Sequence, residues 1–236
     1  MLSDLLVDNA KPGDRQVLIT EVTRMTGNTV CVAGIDLTSG DMVRPLQPDG
    51  SNWEEAKWVR DDAIHLGSIV ALRSAAKGPA HYPHATEDFR CTHLFKIGAA
   101  TDRQLYQACV ETADASLDTL FANQVIGGKY VVDGAQCRSL GCVLVDAADL
   151  RLSEFHDKVQ VSWRNGAQGW HNLSVTEVGI RTPPADVGLR LLRARLLHVT
   201  GDVALRVGLA RGWDGNGANF NPKRCYLQLN GLIVPA

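Results

Sequence analysis

No run of 18 apolar residues occurs anywhere in this chain of 236 residues, so the sequence offers no membrane-spanning helix. Its opening, MLSDLLVDNAKPGDRQV, carries acids where a secretory leader needs a basic segment followed by an apolar one, and a cytoplasmic location is the expectation. CxxC pairs are absent too. The six cysteines (Cys31, Cys91, Cys109, Cys137, Cys142, Cys225) are scattered among apolar neighbours, which suits buried, reduced thiols rather than a disulfide framework. Signatures of nucleotide and nucleophile chemistry are missing: there is no GxxxxGK[ST], no GxGxxG after a predicted strand, no GxSxG, no HExxH, and no HxE with PCxxC. The sequence implies no cofactor and no resident metal, and it names no reaction. Aromatic residues are only 6% of the chain, so most must serve a core and a tryptophan spared for the surface carries weight.

What the sequence does have is turns and short β-prone runs. Apolar residues reach 45%, with 22 glycines and 9 prolines, a globular composition rich in turns. Residues 16–22 (QVLITEV), 29–37, 41–46 and 67–73 are Val- and Ile-rich and separated by Gly, Asn, Asp and Pro, the pattern of a small antiparallel barrel or sandwich. Residues 101–123 read as the one clear helix, with Thr101 or Asp102 as its cap and Leu105, Cys109, Leu117, Leu120 and Phe121 at helical spacing. Further strand signals follow in YVVDG, SLGCVLV, KVQVSWR, WHNLSV, LRVGLARGW and CYLQLNGLIVP. The Asn-Gly of RNGAQGW marks a hairpin. LRLLRARLL, by contrast, fits a helix or a strand.

Charge is unevenly distributed. The net charge is only −2, yet residues 181–236 hold eight Lys and Arg against three Asp and Glu. A basic stripe on an acidic chain is one form of a nucleic-acid footprint, and equally the form of a solvated face paired with the acidic middle. Trp163, Trp170 and Trp213 sit beside Arg164, His171, Arg206 and Arg211, a combination that can stack bases and hold phosphates, or simply fill a core. Lys223 and Arg224 follow a loop rich in glycine and asparagine, Asp214 to Asn221. In HYPHATEDF, His81, His84, Glu87 and Asp88 fall within eight residues, a set able to bind a divalent ion, act as acid and base, or pair across a loop.

Three segments, VCVAGIDLTSGDMVRPL, PHATEDF, and LRVGLARGW followed by CYLQLNGLIVP, together resemble the dual OB-domain family of small prokaryotic proteins. The resemblance implies a mainly β chain of two small OB-like β-barrels with a helical insertion: residues 1–92, then 93–130 as insertion and linker, then 131–236. It also implies a role in nucleic-acid binding or modification, and it points to Arg44, Glu87, Asp88, Arg211, Gln228 and Asn230. GLARGW departs from the family's GLTRPW, which bears on the turn after Arg211. The leading expectation is a protein that binds single-stranded or structured DNA or RNA through Arg44, Arg206, Arg211, Trp213, Lys223, Arg224 and Trp170. His84, Glu87, Asp88, Gln228 and Asn230 form either a polar site or a brace between the barrels. Two rivals stand beside it: a nucleic-acid- or nucleotide-processing enzyme using His84, Glu87 and Asp88, and a specificity subunit whose partner is a protein encoded nearby.

Overall fold

The computed structural model describes residues 2–8, 10–55, 64–78, 81–164, 170–212 and 221–236. The first half contributes β1 (Arg15–Arg24), β2 (Thr29–Asp36), β3 (Met42–Leu46), β4 (Trp53–Glu54), β5 (Ser68–Arg73), β6 (Ala76–Lys77), β7 (Asp88–Arg90) and β8 (His93–Ala99). These form one sheet in the order β6-β7-β3-β2-β1-β5-β8, with β4 paired to β2. The second half adds β9 (Tyr130–Val132), β10 (Leu140–Asp146), β11 (Arg151–Phe155), β12 (Lys158–Arg164), β13 (Trp170–Ser174), β14 (Asp202–Leu209) and β15 (Arg224–Ile233). They make a sheet β10-β14-β15-β9 and a meander β11-β12-β13. The protein is thus mainly β, with bulged, curled sheets of the kind that build OB-like half-barrels. No described helix is long and apolar enough to cross a membrane.

The predicted strands form where alternation and turn residues place them, but three expectations shift. The first sheet runs past residue 92, because β8 pairs along β5 from Arg73↔His93 to Ser68↔Ala99. The predicted helix at 101–123 is two helices, Asp102–Glu111 and Leu117–Leu120. Thr101 and Gln104 close a capping box on the first. The chain then breaks because the Asp114 amide donates to the Cys142 carbonyl at 2.8 Å, bridging to β10, and Ser116 caps a new start. LRLLRARLL resolves as helix, within Ala185–Leu196, burying Leu189 and Leu192. The flanks of RNGAQGW pair as expected, Arg164↔Trp170 and Trp163↔His171, while residues 165–169 lie outside the described residues.

Three apolar clusters hold these layers together. One belongs to the first sheet (Val17, Ile19, Val22, Val70) and one to the second half (Val161, Trp163, Leu205, Leu229). The third is shared: Leu18, Ile35 and Ile69 meet Leu105 and Cys109 of the helix and Cys142, Ala204 and Ile233 of the second half. Backbone also crosses between the halves, since the Arg24 amide donates to the Thr176 carbonyl at 2.8 Å, and Thr176 is itself tied to β15 by its amide donating to the Leu229 carbonyl at 2.8 Å. All six cysteines are free thiols, and five of them are buried.

A single-residue bulge in each half turns polar side chains onto this shared side. In β1 the register slips between Ile19 and Glu21, leaving Thr20 as the extra residue. Without that slip Glu21 would share a face with Val17 and Ile19; with it Val22 takes that face and Glu21 turns to the other. The second bulge lies in β15 opposite Arg206 and Val207, with Asn230 as the extra residue. The two slips bring Glu21, Arg206 and Asn230 together. Arg206 donates through Nε (3.1 Å) and Nη2 (2.9 Å) to Glu21 Oε1, and Asn230 Nδ2 donates to Oε2 at 2.6 Å. Gly34 lies beside the first bulge, where a Cβ would come within 2.1 Å of the Leu18 carbonyl oxygen.

Arg206 has no exposed surface, so it stands inside the protein rather than on a basic face. Removing one member of a fully buried pair strands the other charge. Arg206→Ala is expected to lower the unfolding free energy by about 3–5 kcal/mol in urea titrations, with Glu21→Leu plus Arg206→Met recovering much of it. A loss below about 1 kcal/mol in the single variant would mean that this pair does not hold the halves together.

Candidate nucleic-acid interface

Arg44 is the middle residue of β3, a strand buried along its whole length between β2 and β7. It lies opposite Asp88 in the parallel β3–β7 ladder, and its amide donates to the Glu87 carbonyl at 2.6 Å. Its guanidinium donates from Nη1 to Asp88 Oδ1 at 2.6 Å and from Nη2 to the Ser139 hydroxyl, just before β10, at 2.9 Å. Arg211 lies two residues beyond β14 and donates from Nη2 to Asp88 Oδ2, also at 2.6 Å. One carboxylate therefore takes one guanidinium from each half. The two arginines do not occupy equivalent strand ends; they converge on the same acid from unlike positions.

Glu87 completes the join by accepting from the Ser139 amide at 2.7 Å and the Ser139 hydroxyl at 3.1 Å. His81 reaches Asp133 at 3.1 Å, on the exposed side. The candidates of HYPHATEDF are thus drawn to separate places, His81 to Asp133, Glu87 to Ser139, and His84 and Asp88 to Arg44, and no group of three His, Cys, Asp or Glu among the described residues is placed to hold a metal ion. Burial costs the Arg44 guanidinium, but the negative charges around it, Asp88 and Glu87 included, more than compensate and push its pKa above the ordinary arginine value.

His84 is 1% exposed and sits against Arg44, Nη1 to Nδ1 at 3.3 Å. Arginine has only donors, so Nδ1 accepts and the imidazole proton resides on Nε2. That Nε2 is buried and has no hydrogen-bond partner among the described residues. Burial first, then the charges of Arg44, Arg211 and His81, hold the His84 pKa down to about 2, so the ring is neutral.

These side chains wall a cleft of about 300 Å³ between the halves, lined by Cys31, Arg44, His84, Arg211, Gln228 and Asn230 among others. Asn230 is committed to Glu21 and to the Thr176 hydroxyl, which donates to Oδ1 at 3.3 Å. The side chain of Arg211 is half exposed at 49%. A larger cleft of about 610 Å³ opens on the other side of Glu87, but there acids such as Asp14 and Asp36 alternate with Arg15, Lys77 and Arg138, and several of these charges pair with neighbours.

A second surface is the outer face of the β11–β13 meander. Alternation turns Val159, Val161, Trp163, His171 and Leu173 into the core and leaves Arg164, Trp170 and Asn172 exposed. Trp170 is 49% exposed, pairs across the ladder with Arg164, and carries the Arg151 guanidinium 4.1 Å from its ring centre. Asn172 joins Gln160 (3.0 Å) and Ser162 (3.1 Å) in a polar row beside it. Trp163 packs inward on His171, ring centres 5.2 Å apart. Arg224 lies over Tyr130 at 4.5 Å on the β9–β15 edge, next to exposed Lys223. Trp213 and most of the loop from Asp214 to Asn221 lie outside the described residues. Sequence reasoning missed Arg151 and Tyr130; the alternation of RLSEF, which turns Arg151 outward, was the available signal for the first.

The described geometry fixes a pH response. A folded-state histidine held far below its unfolded pKa of about 6.5 withdraws stability as pH falls, because only the unfolded chain takes the proton. Between pH 6.5 and 5 the unfolding free energy is expected to fall by about 1.6 kcal/mol in all on account of His84, the slope steepening toward about 1.4 kcal/mol per pH unit at the lower end. His171, lowered by burial, adds its own part in any variant. Chemical denaturation at several pH values should show His84→Gln losing roughly one proton from the slope; identical slopes would mean that folded His84 does protonate in this range.

Comparison with known proteins gives a family and, among solved structures, a weak likeness. The family model described as dual OB-containing domain matches residues 15–232. No curated protein matches. A solved structure titled "Crystal structure of p204 HINb domain" aligns over 97% of this chain and 100% of that one, at 12% identity and a TM-score of 0.34.

Proposed function

The chain belongs to the dual OB-containing domain family, and from that premise we propose that it binds nucleic acid with unpaired bases, through the outer face of the β11–β13 meander and the cleft at Arg211. The observation that carries this reading is Trp170: a half-exposed indole in a chain poor in aromatics, with the Arg151 guanidinium over its ring and Arg164 opposite it in the ladder. A folded protein gains nothing in its own core from an indole in that position. A nucleobase gains a stacking partner, and each base stacked on such an aromatic contributes about 1–3 kcal/mol. The guanidiniums beside it supply the phosphate contacts that set affinity and make it depend on salt.

An enzyme built on His84, Glu87 and Asp88 has no comparable support. Both Asp88 oxygens are taken by arginines, both Glu87 oxygens by Ser139, and His84 is held neutral in the interior. Arg44 and Arg206 are likewise bracing residues in this reading, while Lys223 and Arg224 extend the basic surface along the β9–β15 edge.

Fluorescence anisotropy with labelled single-stranded DNA, single-stranded RNA and duplex DNA across a KCl series tests the proposal. Single strands should bind, with log affinity falling with log salt at a slope of about 0.7 per neutralised phosphate. Trp170→Ala should weaken binding by about 1–3 kcal/mol at every salt concentration, and Arg211→Ala should reduce the salt slope by about one phosphate. Absence of binding by folded protein, or binding indifferent to salt and to Trp170, would overturn the reading in favour of a protein partner.

A further inference from the structure

The cleft between the halves has a feature that the bracing network does not use. His84 presents a neutral, fully buried Nε2–H with no acceptor among the described residues, and it lines the cleft. An unsatisfied buried donor carries an uncompensated desolvation cost, so a ligand atom that accepts from it recovers that cost on binding. Leu140, Leu209 and Ala210 make part of the wall apolar, which favours an uncharged acceptor at that depth. Arg211 has the opposite character: its guanidinium carries five donors, Nη2 is given to Asp88, and half of the side chain is exposed. With Arg44 and Arg211 sharing the Asp88 carboxylate, and Glu87 turned to Ser139 and the other cleft, positive charge is in excess on this side.

A neutral donor in an apolar recess and a cation nearer solvent, in a volume of about 300 Å³, describe a ligand with a flat, uncharged, acceptor-bearing end and an anionic end. We propose that this cleft is a subsite for a single nucleotide, its base accepting from His84 Nε2–H and its phosphate held by Arg211. The inference rests on the nucleic-acid reading above and deepens it: the meander face would stack bases without distinguishing them, and the cleft would hold one base edge-on. Gln228, a second amide lining the cleft, offers both a donor and an acceptor to the base edge.

Titration calorimetry with the four 5′-ribonucleoside monophosphates and with inorganic phosphate, on the full chain, tests it. At least one mononucleotide should bind at millimolar concentration or below, and at least tenfold more tightly than phosphate. Ala210→Phe, which fills the recess while leaving the Asp88 clamp in place, should abolish the heat. Alkylation supplies an independent location, because Cys31 lines this cleft and is the one cysteine that is not buried. The bound nucleotide should slow its modification at least threefold. Failure of all four mononucleotides, phosphate binding equally well, or unchanged binding in a folded Ala210→Phe protein would each overturn the subsite. Oligonucleotide binding that persists when mononucleotides fail would remove the subsite and leave the proposed function standing. Mononucleotide binding without oligonucleotide binding would do the reverse, leaving a nucleotide site in a protein that does not bind strands.

Discussion

The Asp88 carboxylate is the point on which the site depends. A lone carboxylate at 8% exposure is costly to ionise, and a lone buried guanidinium costs more because arginine does not shed its proton. Two arginines on two oxygens of one acid resolve that cost only if they come from different directions, and here they come from β3 and from beyond β14. The clamp therefore ties the halves at one position. Its excess positive charge, acting after burial itself, keeps His84 neutral, and a neutral His84 is what allows Nδ1 to accept from Arg44 and leaves its proton on the other side of the ring.

The same logic recurs deeper in the molecule with different parts. Glu21, Arg206 and Asn230 meet only because each half carries one extra residue in a strand, and each extra residue reverses the alternation beyond it. Bulges usually re-aim side chains at edges and rims. Here they aim polar groups into a shared interior whose other contacts, Leu18 and Ile35 against Cys142 and Ala204, are apolar and tolerant of sliding. Apolar contacts supply adhesion; the two ionic joins supply registration, since a displacement of even an ångström would break hydrogen bonds of 2.6–3.1 Å.

Much of this was legible in the sequence, and what was not had a physical cause. Period-two alternation located the principal strands, and the resemblance to dual OB proteins gathered Arg44, Glu87, Asp88, Arg211, Gln228 and Asn230, all of which fall on the network or the cleft walls. Burial of Arg206 was hidden, because LRVGL read alone places it opposite Leu205 and Val207, on the face that would be solvent if the sheet stood alone. The clue was in its neighbours, the small residues sharing that face: Ala204 joins the cluster shared with Leu18 and Ile35 of the other half, and Gly208 leaves room for the Asn230 side chain that reaches Glu21. The break in the helix was hidden for a related reason, since the Asp114 amide leaves the helical pattern to join β10, a partner distant in sequence. Register slips are equally silent, because a bulge does not change which residues are apolar, only which of them face together.

The two surfaces differ in how their side chains are held, and under the proposed function that difference gives them different work. Trp170 stands on a three-stranded meander and is held on one side by an exposed arginine, an arrangement that accepts any flat ring at small cost in rearrangement. The cleft is walled by residues fixed from behind: Arg44 by Asp88 and Ser139, His84 by Arg44, and Asn230 by Glu21. Donors held that firmly lose little entropy on binding and tolerate little misfit, so in the proposed subsite they would discriminate where the platform would not. Discrimination in such a recess is paid in advance by the folded protein, as the unmet Nε2–H of His84, and it is recovered only by a ligand that brings an acceptor to that place.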